Sequence, residues 1–284
     1  MAKKSEVPTE LQIDEEFLAQ REKEVAEETD EQIIERLSER FDMLTDFTLA
    51  IKKGKMHAMI VAGPPGVGKS FGVEAVLQKD SLFDLLAERD PKYEVVKGAM
   101  SALGLYAKLW EFSEKGNVVV FDDCDAVLLD QDSLNVLKGA LDTSERRYIS
   151  WNKDSRLLRA DGIPDRFEFC GSAIFITNIK FDYVRSKKLR DHLRALRSRC
   201  KYVNLDMDTD REKLLRINDI VRKGMLEKYQ FEDGVVEEIL AFIKKHSKDL
   251  EELSLRTVLN VADCRDAFPR KWEKYALAAC GKGA

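Results

Sequence analysis

Gly63-Pro64-Pro65-Gly66-Val67-Gly68-Lys69-Ser70 sits between the apolar run "HAMIVA" and the apolar-periodic stretch "FGVEAVLQKD". A glycine-rich turn of this spacing, entered from a strand and left into a helix, reads as a phosphate-binding loop. Its glycines let backbone N–H groups converge on phosphate oxygens, and the helix N-terminus adds partial positive charge. Lys69 is expected to reach the β- and γ-phosphates, and Ser70 to offer its hydroxyl to Mg2+. All eight residues are therefore expected at the nucleotide.

The rest of the chain fits such a loop. Five short β-branched or apolar runs occur at 58–63, 93–98, 117–123, 172–178 and 201–205, with helical patterns between them. Continuous rather than alternating apolar runs suit strands covered on both faces, so a parallel α/β sheet is expected. The run "NVVVFDD" delivers Asp122 to the carboxyl end of its strand, where it can hold Mg2+ through water. Asp123 follows and is suited to orient or polarise an attacking water.

Beyond residue 206 the strand patterns stop and three helical stretches follow, with Asp208, Asp233 and Asp249 at the positions expected for N-caps. The chain of 284 residues thus divides into an acidic, flexible arm (1–28), an α/β nucleotide-binding domain (29–206) and a helical domain (207–284). Net charge is −5, but residues 1–42 alone hold 6 Lys/Arg against 14 Asp/Glu, so the remainder is mildly basic. A global acidic balance therefore excludes no nucleic-acid partner. Five scattered cysteines without a C-x-x-C pair argue for reduced thiols, and no stretch is apolar enough to span a membrane; a cytoplasmic protein is expected.

"GPPGVGKS" together with "VVVFDDCDA" resembles the Walker A and Walker B motifs of the AAA+ ATPases. The resemblance runs in order over residues 30–270. It implies an AAA+ domain with a five-stranded parallel sheet, a small all-α lid, ATP and Mg2+ as ligands, and a homo-oligomeric ring, commonly a hexamer. "AIFITN" matches the sensor 1 strand and assigns Asn178 to placing the water. "LRSRCKYVNL" resembles the clamp-loader-like segment carrying an arginine finger, which falls on Arg199 with Arg197 as the alternative. "LSLRTVL" resembles the sensor 2 helix and puts Arg256 over the phosphates. The family's Walker B usually ends Asp-Glu; Asp123 is one methylene shorter, which leaves slow hydrolysis or a nucleotide-held switch open. The sequence texture around "FEFCGSAIFITN" also resembles AAA+ proteins encoded by bacteriophages.

Two stretches could touch a substrate. "KGAMSALGLYAKLW" lies where many members place a pore loop, offering Leu103, Leu105 and Tyr106, although helix core packing is the simpler reading. Residues 146–171 read as two strands joined by a link carrying Lys153, Arg156 and Arg159, and resemble a pre-sensor hairpin. Three functions follow from the resemblance: a ring ATPase that loads or remodels a nucleic-acid-associated complex with DNA or replication-protein partners, a protein-remodelling ATPase, and a slow-hydrolysing nucleotide-gated adaptor.

Overall fold

The computed structural model describes residues 15–86, 92–181, 184 and 186–283. In chain order the elements are α1 (Glu15–Glu27), α2 (Asp30–Lys52), β1 (Ala58–Ala62), α3 (Lys69–Leu86), β2 (Tyr93–Lys97), α4 (Ala102–Glu111), β3 (Val118–Asp122), α5 (Ala126–Leu129) and α6 (Gln131–Ala140). They continue with β4 (Tyr148–Ser150), α7 (Arg156–Ala160), β5 (Arg166–Glu168), β6 (Ser172–Thr177), α8 (Lys187–Arg197) and β7 (Lys201–Asn204). The last are α9 (Asp210–Ile220), α10 (Val235–Lys245), α11 (Leu255–Ala267) and α12 (Trp272–Cys280). The chain divides into two compact units, one built from Arg40–Gly63 and Lys69–Asp206, the other from Glu16–Glu39, Pro64–Gly68 and the chain from Met207.

In the first unit all five expected runs form one parallel sheet in the order β2-β3-β6-β1-β7. Alternate residues of each strand point to opposite faces. Ile60, Val119, Phe121 and Phe175 join a core with Leu105, Tyr106 and Leu137, while Met59, Val61, Val120 and Ile176 join another with Leu44, Val73 and Leu77. Burial on both faces is why the three central runs, β1, β3 and β6, are continuously apolar. The order seats β1 between β6 and β7, and β6 between β1 and β3, so the carboxyl ends of three neighbouring strands open at one edge.

The hairpin read over 146–171 is present, with β4 and β5 paired antiparallel in a separate two-stranded sheet. Arg147 is buried at its base, donating to Ala140 O at 2.9 Å and Gly171 O at 2.8 Å. The simpler reading of "LGLY" holds: Leu105 and Tyr106 lie on α4 with no exposed surface, and the Tyr106 hydroxyl donates to Pro164 O at 2.7 Å.

The second unit packs α9–α12 around Ile217, Ile239, Ile243, Val258, Val261 and Ala276. Its helix starts differ from those expected. Thr209, not Asp208, caps α9, because Glu212 lies three residues on and closes a capping box with it. Gly234, with φ 91°, precedes α10 in place of Asp233, and Ser254 caps α11 five residues beyond Asp249. Asp249 instead accepts from Lys282 N at 2.8 Å through its backbone carbonyl.

Of the stretch expected as a flexible arm, residues 1–14 lie outside the described residues and 15–27 form α1. Within the second unit Arg211 ties the α1–α2 junction, donating to Val25 O at 3.0 Å, Glu28 O at 2.9 Å and Asp30 at 2.5 Å. Among the described residues no helix is long and apolar enough to cross a membrane, and all five cysteines are free thiols.

Candidate active site

The loop between β1 and α3 needs its glycines for backbone reasons. Gly66 and Gly68 take φ of 68° and 102°, a region that costs a side chain energy. A Cβ on Gly66 would also lie 2.6 Å from Ser254 Cβ, within the second unit. There Leu255 N donates to Gly66 O at 2.8 Å, so the start of α11 is hydrogen-bonded to the middle of the loop segment Pro64–Gly68. Arg256 follows Leu255 directly and is exposed on the first turn of α11.

In the first unit the expected polar residues meet at the carboxyl edge of the sheet. Lys69, 6 % exposed, donates from Nζ to Gly63 O at 2.7 Å and to Asn178 Oδ1 at 2.8 Å. The other end of that amide, Asn178 Nδ2, donates to Asp123 Oδ1 at 2.8 Å. One amide thus joins the lysine to the carboxylate. Asp123 is exposed and has φ 55°, a left-handed conformation uncommon outside glycine. Its N–H donates to Ile176 O at 3.2 Å, so the bend that turns its side chain away from Asp122 is tied to β6.

Asp122, at the end of β3, is 3 % exposed. Ser70 Oγ donates to its Oδ1 at 2.9 Å, and Lys97 Nζ lies 3.3 Å from Oδ2 while also bonding Glu74 at 2.8 Å. A hydroxyl and a carboxylate side by side are hard oxygen donors of the kind Mg2+ accepts alongside phosphate oxygens. Among the described residues no cluster of three or more His, Cys, Asp or Glu stands as a self-sufficient metal site. The pair Ser70 and Asp122 fits an ion that brings its own phosphate and water ligands.

Burial lowers the Lys69 ammonium to about 8, against the opposing pull of Asp123, Asp122, Asp125 and Asp206. Asp125 is a residue the motif reading passed over. Its Oδ1 accepts the Thr177 hydroxyl at 2.5 Å, and it also accepts from the backbone N–H of Asn178. Burial raises its pKa, with those hydrogen bonds pulling the other way. Thr177, fully buried, passes its own oxygen to Ile179 N at 3.0 Å. Asp125 and Thr177 therefore hold the backbone on both sides of Asn178. The third acid of "DDCD" and the Thr before Asn178 were the available signals; Lys97 carried none.

The two candidate finger arginines differ. Arg199 is partly buried and turned onto its own chain, with Nη1 donating to Ala195 O at 2.6 Å and Nε 4.0 Å from Asp142. Arg197, at the end of α8, is exposed and lies with its guanidinium 4.3 Å from the Tyr202 ring centroid.

A curated relative shares this chain's sequence over most of its length. An uncharacterized 36.7 kDa protein in the nrdC-mobD intergenic region of Enterobacteria phage T4 is 34 % identical over 256 residues, spanning 89 % of this chain and 77 % of its own. The chain belongs to that phage protein's family. The T4 member is itself uncharacterized, so family membership assigns no activity. No protein-family model matches the chain. A solved structure, domain III of the Thermotoga maritima replication initiation protein DnaA, overlaps 85 % of this phage-family chain and 92 % of its own. It does so at a TM-score of 0.43 and 14 % identity, a level at which neither chain's chemistry transfers to the other.

Proposed function

We propose that this chain is a Mg2+-dependent AAA+ ATPase that works as a ring oligomer, commonly a hexamer in that superfamily. It couples ATP hydrolysis to loading or remodelling a nucleic-acid-associated complex of the replication or recombination type. The observation that carries the reading is the line Lys69–Asn178–Asp123 beside the pair Ser70–Asp122, all at the carboxyl edge of one parallel sheet. Open α/β sheets bind ligands at that edge.

In this reading the N–H groups of Gly63–Ser70 and the α3 N-terminus bind the triphosphate. Lys69 turns from Asn178 to the β- and γ-phosphates. Ser70 directly, and Asp122 through water, would hold Mg2+, whose charge offsets that of the phosphate oxygens. Asp123 orients the attacking water and takes its proton, and the Asn178 amide fixes Asp123 and that water in register. Arg256 contributes positive charge from the helical lid, residues 207–284. Arg199 or Arg197 does so from a neighbouring copy, a contribution that in other phosphoryl-transfer enzymes is worth about 10³–10⁵ in rate.

The protein-remodelling alternative rests on "LGLY", of which Leu105 and Tyr106 are buried and Leu103 is partly buried against the same core. The adaptor alternative keeps one, the short carboxylate of Asp123 on a left-handed backbone. ATP turnover measured against protein concentration, with and without DNA, tests the proposal. Turnover per chain that rises with concentration and with DNA is expected. Turnover that is absent while ATP still binds selects the adaptor.

A further inference from the structure

Helix α8 lies in a dense run of basic residues. Residues 185–201 hold eight Lys/Arg and one acid, Asp191. Leu189, Leu193 and Leu196, all buried, pin one side of the helix to the core of its unit. The opposite side presents Lys187, Lys188, Arg194 and Arg197 to solvent, with Arg190 half-buried at its margin. Among the described residues no carboxylate pairs with Lys187, Lys188, Arg190 or Arg194.

Three cations of the hairpin and its link, by contrast, are neutralised inside the chain. On the hairpin, Arg146 is bidentate to Glu168 at 2.8 and 2.7 Å, Lys153 meets Asp132 at 2.5 Å, and Arg159 meets Asp154. Those side chains must break an ion pair to reach a ligand; Lys187, Lys188, Arg190 and Arg194 of α8 need not. Uncompensated like charges on one helix repel, and an external polyanion relieves that repulsion.

We infer that the outer face of α8 binds the phosphodiester backbone of duplex DNA. The proposal rests on the nucleic-acid reading above and names its contact surface. Eleven residues of helix span about 16 Å, and duplex DNA carries one charge per ~1.7 Å of axis, so several phosphates lie within reach of Lys187, Lys188, Arg190 and Arg194. The face carries no Asn or Gln among its exposed residues, and Lys and Arg directed at phosphates fix position without reading sequence. Binding is therefore expected to be indifferent to base sequence and steeply salt-dependent.

The test is fluorescence anisotropy of a fluorescein-labelled 30-base-pair duplex with the full chain, titrated across 50–200 mM NaCl. Two variants are compared with wild type: Lys187→Gln/Lys188→Gln/Arg190→Gln/Arg194→Gln, and the milder Lys188→Gln/Arg194→Gln in case the first folds poorly. Four phosphate contacts correspond to a log–log salt slope of about −3.6 and roughly 100-fold weaker binding across that range. The quadruple variant is expected to lose that component and the double variant about half of it, with binding of a fluorescent ATP analogue unchanged. Wild-type affinity and slope in both variants overturn the α8 assignment while leaving the nucleic-acid reading in place. Absence of duplex binding by wild type overturns both. If wild type binds no duplex and the variants instead lose self-association in sedimentation, the face is a contact between copies, and the proposal is overturned in that direction.

Discussion

Lys69 Nζ and Asp123 Oδ1 are bridged by one side chain, the Asn178 amide, at 2.8 Å on each side. A residue between the phosphate-binding cation and the carboxylate proposed to handle water can couple the two without contributing to binding strength. Asn178→Ala is expected to leave ATP affinity within a few-fold of wild type and to lower single-site turnover by about 10²-fold, the low end of what a positioned proton-transfer group contributes. Equal losses in binding and turnover would assign Asn178 to nucleotide binding alone.

Lys69 and Asp123 are separable in the same way. Lys69→Ala is expected to abolish ATP binding. Asp123→Asn keeps the size of the side chain, removes its charge, and is expected to retain bound ATP without turnover. Isothermal titration and a filter-retained radiolabelled ATP assay distinguish these outcomes. Undiminished turnover by Asp123→Asn would remove Asp123 from the mechanism.

The buried Lys69 ammonium, lowered to about 8 from an ordinary 10.5, sets a pH dependence. The phosphate needs the charged form, and bound phosphate raises the lysine's pKa again. ATP affinity is therefore expected to be flat below pH 8 and to weaken by up to about tenfold per unit above it, with a proton taken up on binding. The same depression acts on folding with its own sign. Between about 8 and 10.5 the unfolded chain holds the proton that the folded chain has released, so the contribution of this group to stability rises with pH across that window. Calorimetry in buffers of different ionisation enthalpy reads the proton uptake; a dissociation constant unchanged from pH 7 to 9.5 contradicts the assignment.

Asp125 and Thr177 are expected to act through position alone. Asp125→Ala leaves the buried Thr177 hydroxyl and the Asn178 N–H short of an acceptor, a cost of about 1–3 kcal/mol. Because Asn178 loses its anchor, turnover is expected to fall more than ATP affinity. Thr177→Val should show a smaller loss of the same kind, and the double variant less than the sum, since the two share one hydrogen bond. Additive effects in thermal unfolding would argue that they act independently.

For the shared-site proposal, Arg197→Ala and Arg199→Ala are to be compared at protein concentrations spanning assembly. One is expected to reduce turnover by at least about 10³-fold while sparing ATP binding. To reach a neighbouring copy, Arg197 must leave the Tyr202 ring and Arg199 must release Ala195 O and Asp142. Turnover that is independent of concentration and of both arginines contradicts a site completed by a neighbour.

How much of this was legible beforehand follows from the range of each interaction. The loop, the five strands and the placement of Asp122 at a strand end rest on contiguous residues, because apolar runs and glycine spacing record local backbone needs. So does the hairpin over 146–171. The caps of α9, α10 and α11 were missed because acids were weighed without the Thr209–Glu212 box or the left-handed Gly234. Tertiary structure alone decided that Lys69 meets a residue 109 positions away, that Asp125 and Thr177 flank Asn178, and that Lys97 backs Asp122. Those pairings depend on β3, β6 and β1 lying side by side, and strand order is set by long-range burial on both sheet faces. No run of neighbouring residues encodes it.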